Sequence, residues 1–160
     1  MSSRTLARAA VFAALYAGLT LAPGLNGLAY GPVQFRAAEG LLPFACVDPA
    51  AVLGLTAGTA IANVASPMGI YDVIFGTLFT LVAAAIMYRT GLRIWALAAP
   101  VVVNGLGVGA ELWLVLHYPL WSSVGWVAAG EAGVMASVGI VVLLLVRRYK
   151  SVLGLTECVT

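Results

Sequence analysis

Carboxylate and amide side chains interrupt several long apolar stretches of the sequence. These side chains are Glu39, Asn63, Asp72, Asn104, Glu111 and Glu131. Ionised carboxylates accept charge-assisted hydrogen bonds, whereas an amide both donates and accepts them. Together they suit the recognition of a flat, nitrogen-rich or cationic solute. An ionisable residue inside a membrane segment is, by default, a candidate functional residue.

Aromatic side chains lie near the same acids along the chain. The candidates for stacking on a flat solute are Tyr30, Phe35, Tyr71, Trp113, Trp121 and Trp126. A tryptophan near a membrane surface is equally typical of the interfacial aromatic belt. Both interpretations of the three tryptophans therefore remain open at this point.

Residues that suit catalysis or metal binding are few. The chain has one histidine, His117, and two distant cysteines, Cys46 and Cys158, which cannot build a metal site of the usual spacing. No nucleophile–base arrangement and no phosphate-binding glycine loop stands out. We therefore expect neither an enzyme nor a metal site, and we expect His117 to lie at a membrane interface.

The composition indicates a membrane protein. Hydrophobic residues make up 62% of the 160 residues, and charged residues make up 9%. A soluble domain is usually about 45–50% apolar and about 25% charged, so this chain has too few charges to cover a surface in water. We predict an all-α integral membrane protein, with a transmembrane domain over residues 1–150 and a cytoplasmic tail over residues 151–160.

Charged and turn-forming residues divide the domain into six predicted helices. They cover residues 6–21, 36–46, 49–65, 70–88, 94–116 and 121–146, with a loop over residues 23–32. The second and third segments together are too long for one straight span and too short for two, because a span takes about 20 residues. One broken helix there would give five spans. Irregular backbone at that depth is tolerated where it lines a cavity.

The basic residues favour six spans, because cytoplasmic flanks are enriched in lysine and arginine. With the N-terminus inside, six spans place on the inside Arg4, Arg8, Arg89, Arg93, Arg147, Arg148 and Lys150. Arg36 alone then lies outside, and no basic patch for nucleic acid forms. In this topology the acids and amides lie between the outer surface and the midplane, with Glu131 deepest. The sequence thus predicts a polar pocket that opens outward.

Small residues recur every four positions on three predicted helices. Glycines at positions 54 and 58, and at 105 and 109, predict close packing between helices of this chain. On the first helix the repeated small residues are Ala10, Ala14 and Gly18. We expect this face to dock another membrane protein, with internal packing as the alternative.

Several of these segments resemble one known family. Residues 31–41, GPVQFRAAEGL, resemble the GP-(I/V)-Q-(F/V)-R-x-x-E-x-L segment of the QueT-type substrate-binding components of energy-coupling factor transporters. Other similar segments are 54–58, 61–63, 66–67, 72–78, 104–105, 111–112 and 130–131. The resemblance covers about residues 4–150, and Gly40 stands where the family usually has alanine. Gln34 and Arg36 of the first segment join the predicted substrate-binding residues.

The resemblance implies a six-helix, S-component-like subunit of a prokaryotic plasma membrane, with both termini in the cytoplasm. Its implied partners are a transmembrane coupling subunit and two cytoplasmic ATPases, which hydrolyse ATP, so no cofactor is expected in this chain. The implied ligands are queuosine precursors, 7-deazaguanine derivatives such as 7-aminomethyl-7-deazaguanine or queuine. One carboxylate can accept from the N1 and N2 hydrogens, an amide can meet O6, and a second carboxylate can hold an aminomethyl cation.

Other functions remain open. A stand-alone proton-coupled carrier or an ion channel would use Glu111 and Glu131 as relay residues. Carriers commonly contain internal repeats, and none is visible in this sequence. An importer component for another vitamin-like, nitrogen-rich solute, a membrane enzyme and a structural scaffold are the remaining alternatives.

The predicted topology can be tested by cysteine labelling from outside the cell. In a background with Cys46 and Cys158 replaced by serine, Pro119→Cys should react with an impermeant thiol reagent, because residue 119 lies in an outer loop. Thr90→Cys should react only after the membrane is made permeable. The reverse pattern would overturn the orientation and the outward-open pocket together.

Overall fold

The computed structural model describes residues 1–22, 26–30 and 33–152, and the chain in these ranges is helical without strands. Six main helices follow one another, and each corresponds to one predicted segment. They are α1 (Ser3–Leu21), α2 (Ala37–Cys46), α3 (Pro49–Asn63), α4 (Asp72–Thr90), α5 (Ile94–Leu116) and α6 (Leu120–Tyr149). The predicted all-α class is therefore confirmed.

The connection between α1 and α2 was predicted as a loop, and it contains one helical turn, Asn26–Ala29. Pro23, Gly31 and Pro32 of the predicted loop lie outside the described residues, as does most of the predicted tail. α1 begins where the Ser2 hydroxyl accepts a hydrogen bond from the Thr5 backbone N–H, which caps one free donor of the first turn.

Within the described ranges, three helices are long and apolar enough to cross a membrane, namely α4, α5 and α6. Two shorter helices, α2 and α3, are also apolar. A chain with several such helices is a multi-pass membrane protein, because a hydrated surface cannot accommodate so many exposed apolar side chains. The number of six spans stays a prediction.

α2 is a 3₁₀ helix of ten residues, a geometry that the sequence pattern did not predict. A 3₁₀ helix rises about 2.0 Å per residue, compared with about 1.5 Å for an α-helix. Ten residues therefore reach about 20 Å, where an α-helix would reach about 15 Å. Pro43 lies inside the helix, where its missing N–H removes a backbone donor. The greater rise lets a short segment run deep into the bundle beside α3.

α1 and α3 pack against each other through glycines. A Cβ atom at Gly58 would lie 2.7 Å from both the Ala13 carbonyl oxygen and the Tyr16 Cβ. A Cβ at Gly54 would likewise collide with the carbonyl oxygen of Ala9. Since backbone atoms of α1 occupy the space of a side chain, the predicted close packing at these positions is confirmed.

The glycines of α5 have the same role against α6. A Cβ at Gly109 would lie 2.7 Å from Val124 Cα, and one at Gly105 would lie 3.0 Å from Ala128 Cβ. These approaches are tighter than ordinary side-chain contacts. The small residues therefore let the α5 and α6 backbones come together at Gly105 and Gly109.

The remaining small residues of α1 face outward. Ala10, Ala14 and Gly18 are exposed, and open space surrounds Gly18 where a Cβ would stand. The buried face of the same helix carries Ala9 and Ala13. Within the described residues the Ala10–Ala14–Gly18 face contacts no other helix closely, so internal packing does not explain its composition.

The arginine-rich end of the bundle is held by two contacts between segments. Arg8 Nη1 lies 3.3 Å from Asp48 Oδ2, which joins the start of α1 to the start of α3. Arg147 donates from Nε to the Leu92 carbonyl oxygen at 2.6 Å, which joins the end of α6 to the α4–α5 connection. The helix ends that the basic residues assign to one side of the membrane therefore meet in the structure.

The close contact of α1 and α3 predicts opposite effects for two glycine substitutions. Gly58→Ala should lower the free energy of unfolding, because overpacking costs about 1–3 kcal/mol and exceeds the gain of about 1 kcal/mol from helix propensity. Gly18→Ala should not lower it, because that position is open. Thermal unfolding of the purified protein in detergent measures both. Equal midpoints for the two variants would contradict the packing described here.

Candidate functional site

Irregular helical turns surround the buried polar residues. Asp72–Gly76 at the start of α4 and Met135–Gly139 in the middle of α6 are π-helical turns. The second π turn packs against the 3₁₀ helix α2, where a Cβ at Gly40 would lie 2.7 Å from Val138 Cβ. Such turns are frequent at functional sites because they redirect side chains within a continuous helix.

Arg36 and Asp72 form a buried ion pair. Arg36 Nη2 lies 3.8 Å from Asp72 Oδ2, and both side chains are almost completely shielded from solvent. The Arg36 guanidinium also lies 5.4 Å from the ring centre of Tyr30, a cation–π distance. Tyr30 is fixed in turn, because its hydroxyl donates to the Ala62 carbonyl oxygen at 2.5 Å.

Asn63, at the end of α3, secures the start of α4. Its Nδ2 donates to the Asp72 carbonyl oxygen at 2.8 Å and approaches the Asp72 Oδ1 at 3.3 Å. Gly76 is required beside them, because a Cβ there would lie 2.7 Å from Asn63 Nδ2 and would collide with the Asp72 carboxylate. The Asn63 amide nitrogen is therefore held by Asp72, which makes Asn63 a positioning residue in this structure.

Glu39 on α2 is held from α1. The Tyr16 hydroxyl donates to Glu39 Oε1, and both side chains are buried. Glu39 Oε2 has no hydrogen-bond partner among the described residues. Tyr16 was not among the residues predicted from the sequence, although a tyrosine within the apolar stretch of residues 9–19 was a signal that could have identified it.

Glu131 and Asn104 pair across α5 and α6. Asn104 Nδ2 donates to Glu131 Oε1 at 2.8 Å, and both residues are buried. Asn104 Oδ1 and Glu131 Oε2 are buried and have no hydrogen-bond partner in the described part of the chain. The predicted proximity of the two residues is present, and it leaves two acceptors open on the same pair.

The segment that precedes α2 covers this pair closely. A Cβ at Gly130 would collide with the Val33 carbonyl oxygen and would lie 3.0 Å from the Gln34 carbonyl oxygen. Gln34 adopts a positive φ of 46°, a left-handed conformation that is uncommon for residues other than glycine. This turn places the backbone directly on α6 beside Glu131, and the Gln34 side chain is buried.

Glu111 lies apart from these hydrogen-bonded pairs. Both of its carboxylate oxygens are buried, and neither has a hydrogen-bond partner among the residues described. Its charged neighbours are Asp72 and Arg36. Glu111 therefore contributes acceptors at the edge of the same cluster.

The predicted tryptophans are not part of this buried cluster. Trp113, Trp121 and Trp126 are 46%, 78% and 41% exposed, and Trp126 packs edge-on against Tyr118 with ring centres 6.4 Å apart. A role for any of them in ligand stacking stays a prediction. Among the described residues, Tyr30 contacts the polar cluster through the guanidinium of Arg36, and Tyr16 contacts it through its hydroxyl on Glu39.

The cluster as a whole is acidic. Four buried carboxylates, from Glu39, Asp72, Glu111 and Glu131, interact electrostatically with Arg36, the one buried guanidinium among the described residues. Within the described ranges no histidine, cysteine or acidic residues come together as three or more potential metal ligands. The arrangement can therefore accept hydrogen bonds from a donor-rich or cationic solute.

A bundle of apolar helices around a buried, mostly acidic cluster has the features of a membrane transport protein. The chain belongs to the QueT transporter family, whose model matches residues 6–148. The family resemblance inferred from the sequence motifs is thus confirmed.

One curated relative is the queuosine precursor transporter QueT of Lactococcus lactis subsp. cremoris (strain MG1363). It is 44% identical to this chain over 73 residues, which cover 46% of this chain and 43% of the relative. The matched region therefore covers less than half of that protein. A comparison with solved structures gives no significant match.

The Tyr16–Glu39 contact predicts a loss of stability for Tyr16→Phe. The substitution removes the donor of a buried carboxylate, and an unsatisfied buried group costs about 1–3 kcal/mol. We expect a lower unfolding midpoint in detergent for Tyr16→Phe and no change for Tyr149→Phe, which removes the same hydroxyl at an exposed position. Equal midpoints would mean that Glu39 does not depend on this donor.

Proposed function

We propose that this protein is the membrane-embedded substrate-binding component of an importer of the energy-coupling factor type, and that its ligands are queuosine precursors. Membership of the QueT transporter family supports the class of solute. The observation that carries the proposal is the set of buried, unpartnered acceptor atoms on Glu39, Asn104, Glu111 and Glu131. A 7-deazaguanine presents ring and exocyclic N–H donors in one plane, which complements such acceptors.

The Asn104–Glu131 pair is suited to the guanine-like edge of the ligand. Glu131 Oε2 can accept from N1–H or from the exocyclic N2 amino group, because Oε1 is already held by Asn104. The second hydrogen of the Asn104 amide can donate to O6. The pair therefore offers an acceptor and a donor in adjacent positions, as this edge requires.

The Arg36–Asp72 pair, with Asn63, is already assembled and gives the ligand region its shape. Arg36 carries the positive charge that offsets part of the negative charge of the acids. Its Nε atom has no partner within the described residues and can donate to a ring acceptor. Since the pair is buried, its charges interact more strongly than they would in water.

We further propose that the protein lies in the plasma membrane with both termini in the cytoplasm. The arginine-rich helix ends then face the cytoplasm, in agreement with the positive-inside rule. The ligand cluster lies in the other half of the bundle, toward the outer surface. A solute arriving from outside would reach it without crossing the inner half of the membrane.

The exposed face of α1 is proposed to dock the transmembrane coupling subunit. Ala10, Ala14 and Gly18 expose little side chain, so a partner helix can approach their backbone closely. The partner complex would also contain two cytoplasmic ATPases that hydrolyse ATP. This division assigns ligand recognition to the present chain and energy supply to its partners.

Glu131→Gln tests the ligand site. The substitution can keep the bond to Asn104 but replaces the open acceptor with a donor, and a charge-assisted hydrogen bond contributes about 1.5–3 kcal/mol. We expect binding to weaken by roughly 10- to 150-fold, equally for 7-aminomethyl-7-deazaguanine and its 7-cyano analogue, in calorimetry of the detergent-solubilised protein. Glu157→Gln, in the C-terminal tail, is the matched control and should bind normally. Unchanged binding by Glu131→Gln would remove this residue from the site.

Ala14→Leu tests the docking face. The larger side chain should abolish uptake of the ligand by cells, because it separates the partner helix from α1, while the isolated protein should bind ligand with unchanged affinity. Ala129→Leu introduces the same side chain on an exposed position of α6 and should leave uptake intact. Loss of binding in the isolated Ala14→Leu protein would instead show that this face supports the ligand site.

A further inference from the structure

A groove of about 250 Å³ lies between the end of α4 and the start of α5. It is lined by Ile86 and Thr90 of α4 and, on α5, by Trp95, Val102 and neighbouring small residues. Apart from the Thr90 hydroxyl, the lining side chains are apolar. The groove follows α5 over residues 95–103, about 12 Å at 1.5 Å per residue, so it can hold part of an extended hydrocarbon chain.

The groove is a recess in an apolar, exposed surface. Ile86, Trp95 and Val102 are about half exposed, and in a multi-pass membrane protein such side chains contact lipid. Between them, Ala96 is buried and Ala99 is half-buried, so small side chains form the floor of the recess. In a bilayer, the group that meets an apolar recess of this shape is a lipid acyl chain.

Two arginines lie at the rim of the groove. Arg89 is in the last turn of α4, three residues after Ile86, so the two side chains share one flank of the helix. The Arg93 guanidinium lies 5.8 Å from the ring centre of Trp95, a cation–π distance that keeps it beside the groove. Both arginines are exposed, and within the described residues neither forms an ion pair with a carboxylate.

Two other arginines at this end of the bundle are engaged inside the protein. Arg8 pairs with Asp48, and Arg147 donates to the Leu92 carbonyl oxygen. The second contact brings a further guanidinium to the α4–α5 connection, one residue before Arg93. An anion that neutralises Arg89 and Arg93 must therefore come from outside the described part of the chain.

We propose that this groove binds one anionic phospholipid, with an acyl chain in the apolar recess and the phosphate between Arg89 and Arg93. Guanidinium groups form charge-assisted, often bidentate hydrogen bonds to phosphate, and the Thr90 hydroxyl can donate another. Basic pockets between transmembrane helices on the cytoplasmic side bind anionic headgroups, and the proposed orientation places this end of the bundle on that side. The inference goes beyond the proposed function, since it needs neither the deazaguanine site nor the coupling subunit.

Native mass spectrometry of the full-length protein in neutral detergent tests this binding. The probes are palmitoyl-oleoyl phosphatidylglycerol and palmitoyl-oleoyl phosphatidylcholine, which have the same acyl chains and differ in headgroup charge. The unmodified protein should bind one phosphatidylglycerol at least about fivefold more tightly than phosphatidylcholine, because each arginine near an anionic headgroup contributes about that factor. The titrations contain no deazaguanine, so their result is separate from that of the proposed function.

The combined variant Arg89→Gln/Arg93→Gln tests the headgroup contact. It should lose the preference for phosphatidylglycerol, because both cationic groups of the rim are removed. Arg4→Gln/Arg148→Gln is the matched control, since it removes two exposed arginines at the same end of the bundle from α1 and α6. The control should keep the preference. An equal loss in both variants would mean a general attraction between opposite charges and would overturn the proposed site.

Ala98→Phe tests the acyl-chain contact, because Ala98 is an exposed residue that lines the groove. The larger side chain fills the recess and should weaken phosphatidylglycerol binding by at least about fivefold. Val102→Phe, at another exposed lining position, repeats the test if Ala98→Phe does not fold. Ala129→Phe, on an exposed position of α6, should bind the lipid normally.

Two results would overturn the inference. If the unmodified protein shows no preference for phosphatidylglycerol, the rim does not recognise an anionic headgroup, and the groove is a contact for bulk lipid or for another membrane protein. If the filled variants bind phosphatidylglycerol as tightly as the unmodified protein, the acyl chain does not lie in the groove.

Discussion

The placement of one guanidinium among four carboxylates inside an apolar helical bundle is the constraint on which the rest of the structure depends. Removing a charged group from water costs several kcal/mol per ion, even after the protein relaxes around it. Arg36 and Asp72 offset part of this cost by their mutual attraction, at 3.8 Å between nitrogen and oxygen. The surrounding helices must therefore bring donors to the acids, and they cannot pack as a purely apolar bundle would.

The irregular helical turns help to place these buried charged residues. A regular α-helix presents a fixed face to its neighbours, whereas a π turn or a 3₁₀ segment changes which residues face inward. Asp72 opens the π turn of α4, Glu39 lies on the 3₁₀ helix α2, and Glu131 comes four residues before the π turn of α6. Each buried acid mentioned here is thus carried by, or lies next to, a departure from α-helical geometry.

Glycines allow the same regions to pack tightly in spite of their polar content. Gly130 admits the Val33 carbonyl oxygen onto α6, and Gly76 leaves room for the contact of Asn63 with Asp72. A side chain at either position would displace a group that shapes the polar cluster. The small residues therefore have two roles in this chain. They let helix backbones approach each other closely, and they leave space for polar groups to pack against a helix.

The sequence predicted the class and the elements well because both depend on local signals. Charged residues mark most helix ends, and long, mainly apolar stretches mark α4, α5 and α6, so even the bounds of α5 were predicted as observed. The hydrogen bond between Asn104 and Glu131 was harder to predict, although the predicted topology placed both residues in one pocket.

The partners of the acids could not be predicted, because they are set by packing between distant segments. The contact of Tyr16 with Glu39 joins residues that are 23 positions apart in the chain. It depends on the close packing of α1 against α3 at Gly58. The 3₁₀ geometry of α2 could not be predicted either, because an apolar pattern of ten residues does not distinguish a 3₁₀ helix from a short α-helix. The tryptophans were predicted from their type and from their position near the acids along the chain, and neither determines whether a ring faces the bundle or the lipid.

α1 joins the polar cluster to the face proposed for the partner subunit. Tyr16 points into the bundle and holds Glu39, while Ala14 and Gly18 lie on the exposed side of the same helix. The helix is continuous from Ser3 to Leu21, so a single element carries both faces. Glycine contacts with α3 restrain the side of α1 that faces the bundle, because the backbones touch there without intervening side chains. The exposed side has no such contact within the described residues, so α1 is close-packed where it meets the polar cluster and accessible where a partner helix is proposed to dock.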